Sequence, residues 1–310
     1  MNVDNFSRAE TDRMFAGLQR DAGGVNKLSH NRVPASVDHQ TVIRMNRDTL
    51  YSFAVVDLTA GATVTVPEHG DRYVSVMIVN EDHYVNEVIH DAGSYDLTMD
   101  RHDTPYVAVA ARVLVDPNDP DDVERVAAVQ DRFGLTAGSA QPFAMPDYDQ
   151  ASFDHTRTAL LTLAGGLSAT DRMFGTEADV DPARHLLGTA AGWGGLPTTE
   201  ATYIGTNPGL PVGQYELRVP DDVPVDAFWS ISVYNADGYF EPNPVGVYSV
   251  NSITGARDPD GSITVRFGDH GTDSPNQIPL TEGWNYLVRL YRPRPEILDG
   301  TWSFPRLDTT

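Results

Sequence analysis

The chain has 310 residues, with 44 acidic against 22 basic side chains, a formal net charge of −22 and no cysteine. That length suffices for two ordinary domains with cores of their own, and the lack of thiols excludes disulfides, cysteine nucleophiles and Cys-ligated metal centres. A surface this acidic repels phosphate backbones and anionic lipid, so neither nucleic acid nor a membrane is an expected partner.

Of the acids, 33 are Asp and 11 Glu, and Lys27 is the single lysine. An Asp-rich, Lys-poor balance suits a salty cytoplasm, where screening limits self-repulsion, and equally a GC-rich genome. The opening MNVDNFSRAETDRMF has no basic n-region and no long apolar run, and nothing later approaches the roughly 18 apolar residues of a membrane span. The expectation is a soluble, cytoplasmic protein.

In chain order, NFSRAETDRMFAGLQR (5 to 20) sets Phe6, Met14, Phe15 and Leu18 near helical spacing, with Asn5 or Ser7 as cap. From Gln40 the pattern turns to period two in TVIRMNRDTLYSFAVVDL, ATVTVP, RYVSVMIV and PYVAVAARVLV, which predicts strands. PNDPDDVERVAAVQDRFG (117 to 134) reads as a helix opened by Asp119-Pro120, and SFDHTRTALLTLAGGL as a second. Otherwise 135 to 205 is rich in Gly, Pro and Thr and reads as an ordered connector. Strands resume in GQYELRVP, AFWSISVY, VGVYSVN, SITVRFG and NYLVRLYRP. These patterns divide the chain into a lead-in (1 to 34), a first β-sandwich (35 to 116), a connector (117 to 205) and a second β-sandwich (206 to 310).

The two β-regions repeat each other. DRYVSVMIVNEDHYV (71 to 85) and DAFWSISVYNADGYF (226 to 240) match at Asp71/Asp226, Ser75/Ser230, Asn80/Asn235, Asp82/Asp237 and Tyr84/Tyr239. Each follows a strand ending in Val-Pro, at Val66-Pro67 and Val219-Pro220, so the reading is an internal duplication. Asn80, Asp82, Asn235 and Asp237 are expected to form turns rather than carry chemistry.

NRDTLYS (46 to 52), GWGGLP (192 to 197), FWSISVYNADGYFEPNPVGVYSV (228 to 250) and RLYRPRPEILDGTWSFPRL (289 to 307) resemble a widespread microbial family. Its halves are adjacent domains of unknown function, numbered twelve fifty-four and twelve fourteen. The resemblance covers nearly the whole chain from about residue 35. It implies two β-sandwich domains of jelly-roll type joined by helical connectors, and little about function. No N-terminal signal like that of longer relatives is expected, and exported, envelope-associated roles are not expected to carry over.

NRDTLYS is the densest polar group in the predicted strands; alternation sends Asn46 and Asp48 to one face and Arg47, Thr49 and Tyr51 to the other. One reading makes Asp48 a base or metal ligand, with Arg47 or Arg72 clamping an anion. The structural alternative is a buried ion-pair network. The nine histidines include no H-x-H and no H-E-x-x-H, and the nearest set, His83, Glu87 and His90, is wrongly spaced for one strand face, so no metal site is assigned. No G-x-S-x-G occurs, and GWGG lacks the lysine of a phosphate loop, so no nucleotide cofactor is expected.

Trp193, Tyr203, Asn243 and Arg289 sit among the aromatic phrases and suggest a cleft that stacks a sugar or flat metabolite; core packing is the alternative. The leading expectation is a homo-oligomeric double jelly roll with a small-molecule site between its halves, hydrolysis being the candidate chemistry. Asp48 and Arg47 would be catalytic, and Asn46, Tyr51, Arg72, Trp193, Tyr203, Asn243 and Arg289 would bind substrate. The rival is a binding or assembly protein without chemistry, in which the same motifs hold the fold together.

Overall fold

The structure is a computed structural model and describes residues 1–40, 43–167 and 169–307. It is mostly β, with antiparallel sheets and no closed barrel among the described residues. No helix is long and apolar enough to cross a membrane among those residues. The chain divides into two compact units: unit 1 is Met1–Arg32, Thr49–Leu114 and Asp121–Thr198, and unit 2 is Val33–Asp48, Val115–Pro120 and Thr199–Thr310.

Unit 1 begins with α1 (Phe6–Ala22), which ends where Gly23 adopts φ 72° and its N–H bonds Arg20 O. The apolar spacing buries Phe6 and Phe15 as expected, yet Glu10, Thr11 and Asp12 are buried too. Glu10 pairs with Arg13 at 2.8 Å and Arg157 at 2.9 Å, and Tyr148 donates to Asp12 at 2.5 Å. Such partners are what make buried carboxylates tolerable.

The strands of unit 1 are β1 (Ser29–His30), β2 (Thr49–Asp57), β3 (Ala62–Val66), β4 (Val74–Asn80), β5 (Val85–Ile89), β6 (Gly93–Leu97), β7 (Tyr106–Leu114) and β8 (Gly134–Ala137). They form a five-stranded sheet, β1-β2-β7-β4-β5, and a three-stranded one, β6-β3-β8. In β3 burial alternates, leaving one face half-exposed, whereas every residue of β4 is buried. Helices α2 (Met99–His102), α3 (Pro120–Gln130), α4 (Gln150–Ala164) and α5 (Pro182–Gly192) complete the chain to Thr198. Helix α5 was not anticipated, although Asp181-Pro182 signals it: Asp181 Oδ1 accepts from Ala183 N and Arg184 N.

Unit 2 contains β9 (Ala201–Thr206), β10 (Tyr215–Val219), β11 (Trp229–Tyr234), β12 (Ser249–Asn251), β13 (Ile263–Phe267), β14 (Gln277–Ile278), β15 (Asn285–Tyr291) and α6 (Pro295–Leu298). Its sheets are β12-β11-β15-β9 and β10-β13-β14. Alternate residues Trp229, Ile231, Val288 and Leu290 of the first sheet share a core with Leu217, Val219, Val265 and Phe267 of the second. Each such side chain contributes about 1.5–3 kcal/mol through burial.

The strand expected from Gln40 starts later. Thr41 and Val42 lie outside the described residues, 43 to 48 is turn and irregular chain, and β2 opens at Thr49. Arg44 takes φ 55°, and Asn46 Oδ1 accepts the Asp48 N–H at 2.8 Å, a local bond that competes with a sheet ladder. Strand alternation therefore does not govern Asn46, Arg47 and Asp48.

The repeated phrase builds the same turn twice. Asn80 Oδ1 accepts from Asp82 N and Tyr84 N, and Asn235 Oδ1 accepts from Asp237 N and Tyr239 N. Asn80 N bonds Tyr84 O as Asn235 N bonds Tyr239 O. The left-handed position falls on His83 (φ 66°) in one and Gly238 (φ 87°) in the other. The Asn80 and Asn235 side chains make these turns as the sequence predicts, while Asp82 and Asp237 enter them through their backbone N–H, the Asp82 carboxylate being bound to Arg8.

Candidate functional site

In unit 2, β11 carries Trp229, Ile231 and Val233 into the core, so Ser230, Ser232 and Tyr234 point to the opposite face. Register places Ser230 between Asn251 and Arg289, and Ser232 between Ser249 and Leu287. This face is covered by the described residues of 33 to 40 and 43 to 48. Gln40 and Phe240 exchange two bonds, Nε2 to O at 2.8 Å and N to Oε1 at 2.7 Å. Arg44 N bonds Gly238 O at 2.8 Å, and Tyr234 OH donates to Met45 O at 2.8 Å.

At the centre are Asp48, 0% exposed, and Arg289, 3% exposed. Arg289 donates to Ser232 Oγ at 2.9 Å, Tyr234 OH at 2.8 Å, Arg44 O at 2.9 Å and Met45 O at 3.3 Å. Ser249 Oγ donates to Asp48 Oδ1 at 3.4 Å. Asp48 Oδ2 and Ser230 Oγ make no bond of regular geometry.

Burial pushes the Asp48 carboxyl above its ordinary value; Arg289, Ser230, Asn251 and Ser249 oppose the shift without cancelling it. Burial alone would lower Arg289, but Tyr234, Tyr291 and Asp48 hold the guanidinium firmly protonated, above its ordinary range. Arg289 directs its described hydrogen bonds to Ser232, Tyr234 and backbone carbonyls, so it acts on the buried Asp48 through space rather than by a direct bond.

Other predicted residues adjoin it. Asn46 Nδ2 donates to Tyr291 OH at 2.9 Å. Arg47, whose pKa burial lowers, donates to Ala35 O and lies 5.2 Å over the Tyr248 ring. Tyr203, opposite Arg289 in the ladder, packs on a cluster of Tyr234, Phe240, Tyr248 and Leu287. Asn243 Nδ2 donates to Val247 O at 2.9 Å. Because a carbonyl only accepts, that bond fixes the amide's orientation.

Beside this cluster a cleft is lined by Tyr234, Asn243, Val247, Tyr248, Ile278 and Leu280, among others. It encloses about 40 Å³ within about 330 Å³ of space continuous with solvent. The enclosed part has room for a group of about two or three water-sized atoms.

Tyr51, Arg72 and Trp193 fall in unit 1. Tyr51 stacks on Phe53 at 5.6 Å and lies 5.2 Å under Arg112. Arg72 is bound to Asp122 at 2.5 and 3.0 Å and to Leu114 O at 2.7 Å, which ties the first turn of α3 to the end of β7. Trp193 ends α5, donates to Thr11 Oγ1 at 3.1 Å and stacks on His83 at 5.4 Å. Among the described residues no group of three or more His, Asp or Glu is arranged to hold a metal.

Sequence reasoning missed Ser230, Ser232, Tyr234, Ser249 and Asn251 as the surroundings of Asp48 and Arg289. The available signal was the polar half of the alternation in WSISVY: two serines on alternate positions of a fully buried strand need a polar cover.

Family models match twice in tandem, each described as a protein of unknown function: DUF1254 over residues 25–137 and DUF1214 over residues 208–295. The chain belongs to this tandem DUF1254–DUF1214 family. No curated protein matches. Among solved structures, the VPA0106 protein from Vibrio parahaemolyticus is similar at TM-score 0.75 and 17% identity, over 100% of both chains. An uncharacterised protein from Burkholderia cenocepacia is similar at TM-score 0.56 and 12% identity, over 97% of this chain and 86% of its own. At these identities the likeness concerns the fold alone.

Proposed function

We propose that this family member binds a small molecule, and that unit 2 contacts it at the Tyr234–Tyr248 cleft. The observation carrying this reading is that two of the cleft's rings are held by the very residues of NRDTLYS and RLYRP: Tyr234 OH bonds Arg289 at 2.8 Å, and Arg47 lies 5.2 Å over Tyr248. A sugar-like or flat ligand suits the mixture of aromatic, aliphatic and amide lining, with a small substituent in the enclosed part. Asp48 and Arg289 stand behind the rings, and their role in this reading is to fix Tyr234 and the covering segment. Hydrolysis with Asp48 as base is the second reading; it requires a fully buried carboxylate to become reachable.

We further read the two units as copies of one jelly-roll-type sandwich. The orders β2-β7-β4-β5 and β9-β15-β11-β12 correspond strand for strand, and the Asn-x-Asp turns share their bonds, which supports duplication.

The test is a thermal-shift panel of sugars, carboxylates and simple esters on wild type, Tyr248→Ala and Asp48→Asn. A ligand at one hundred times its Kd stabilises by about 2.7 kcal/mol. Binding at the cleft predicts a shift for wild type that Tyr248→Ala loses. An equal shift in Tyr248→Ala would overturn the site, and turnover that Asp48→Asn abolishes at unchanged Tm would favour hydrolysis.

A further inference from the structure

In the Tyr234–Tyr248 cleft several polar groups of the wall are already committed. Tyr234 OH donates to Met45 O and accepts from Arg289, each at 2.8 Å, so only its ring is left for a ligand. The loop from Asn243 to Val247 is closed by its own bonds. Gly246, at φ 68°, gives its N–H to Asn243 O at 3.2 Å, and Asn243 Nδ2 donates to Val247 O at 2.9 Å. The second bond orients the amide and leaves Asn243 Oδ1, shielded from solvent, with no hydrogen bond among the described residues. A carbonyl oxygen accepts and never donates, and leaving one buried and unpaired is costly.

We infer that Asn243 sets the specificity of this cleft, and that the group taken into its enclosed part is a neutral hydroxyl, which donates to Asn243 Oδ1. The inference rests on the cleft reading above and narrows it from sugar-like or flat ligands to those that present such a donor. A carboxylate, ether or aldehyde at the same point would set lone pair against lone pair. The Tyr248 and Thr281 hydroxyls, also in the wall, can donate or accept and so leave the choice to Asn243.

An ammonium also donates, but the charges nearby disfavour it. Arg44 lies 5.9 Å from the centre of the Tyr234 ring and Arg47 5.2 Å from that of Tyr248, so both rings already carry a guanidinium. Arg289 adds a third positive charge at the Tyr234 hydroxyl, with Asp48 acting on it. Glu241 is the carboxylate of the wall; it is exposed, where solvent screens it, and its Oε2 accepts from Asn235 Nδ2 at 3.0 Å. The enclosed volume of about 40 Å³ suits a group as small as a hydroxymethyl.

The experiment titrates the full chain at pH 7 with benzyl alcohol, benzaldehyde, benzoate and benzylammonium, following the Asn243 side-chain amide in ¹⁵N spectra, with Tyr248→Ala and Asn243→Leu as variants. Benzaldehyde matches the alcohol in heavy atoms and lacks only the donor. Expected for wild type is benzyl alcohol bound about tenfold more tightly than benzaldehyde, with benzoate and benzylammonium also weaker than the alcohol. Tyr248→Ala should weaken the binding of the alcohol, and Asn243→Leu should bring alcohol and aldehyde to within about twofold of each other. Equal affinity for alcohol and aldehyde in wild type, with binding still dependent on Tyr248, would overturn the inference and leave the cleft reading standing. Tighter binding of benzoate or of benzylammonium would overturn it in favour of a charged ligand. Binding indifferent to Tyr248→Ala, or no binding of any probe, would remove the cleft reading and the inference together. Should Asn243→Leu not fold, the wild-type ranking decides alone.

Discussion

The two units place a buried arginine at corresponding points of their larger sheets and surround it differently. In unit 1, Arg112 on β7 lies opposite Ser75 on β4 and Tyr51 on β2; in unit 2, Arg289 on β15 lies opposite Ser230 on β11 and Tyr203 on β9. Arg112 donates to Gly194 O, at the end of the Trp193 loop, at 2.8 Å. Arg289 donates to Arg44 O and Met45 O and faces Asp48. In both, a planar guanidinium hooks backbone carbonyls of the chain that covers the sheet. Carbonyls have no sequence identity, so the turn after a helix can serve one unit and irregular chain the other.

The largest effect should come from removing the Arg289 guanidinium. Arg289→Met removes a guanidinium that favours the buried Asp48 carboxylate, together with its bonds to Ser232, Tyr234 and two carbonyls, and is expected to cost about 3–5 kcal/mol in denaturant titrations. Arg289→Met combined with Asp48→Asn should recover much of that loss; no recovery would mean the two do not interact. Arg112→Met should cost less, about 1–3 kcal/mol, the scale of leaving a buried carbonyl unsatisfied. An Arg112 loss as large as that of Arg289 would erase the distinction between the centres.

Acid should separate the units more gently. Burial lowers His102 from 6.5 to about 4 and His83 well below 6.5, and both belong to unit 1. A depressed histidine contributes stability that is fully present above 6.5 and lost as pH falls through the folded value. Between about pH 6.5 and 4, unit 1 should therefore lose at most about 1.4 kcal/mol per pH unit per histidine. Hydrogen exchange resolved by unit checks this, and an equal or greater acid slope in unit 2 would contradict it.

Much of the fold was legible from neighbouring residues. The Asn-x-Asp phrases gave their turns because each Asn side chain bonds backbone only two and four residues ahead. Asp119-Pro120 marked α3, and the same reading of Asp181-Pro182 would have found α5. NRDTLYS was legible as a dense polar group but not as irregular chain. Its departure from strand geometry depends on Asn46 folding back on Asp48 and on distant carbonyl partners such as Gly238.

The sequence by itself determined the β-rich class, the repeated turn, the tandem family and the presence of costly polar residues at 46 to 48. These depend on side-chain period and on bonds closed within a few residues, where the order of the chain is the geometry. Only the tertiary structure decided that Asp48 meets Arg289, that Tyr51 lies under Arg112, and that 33 to 48 belongs with the second unit. The Tyr51–Arg112 pairing follows from strand register between segments far apart in the chain, and a one-residue slip would turn those side chains to the other face, whereas Asp48 reaches its surroundings on irregular chain that no register dictates.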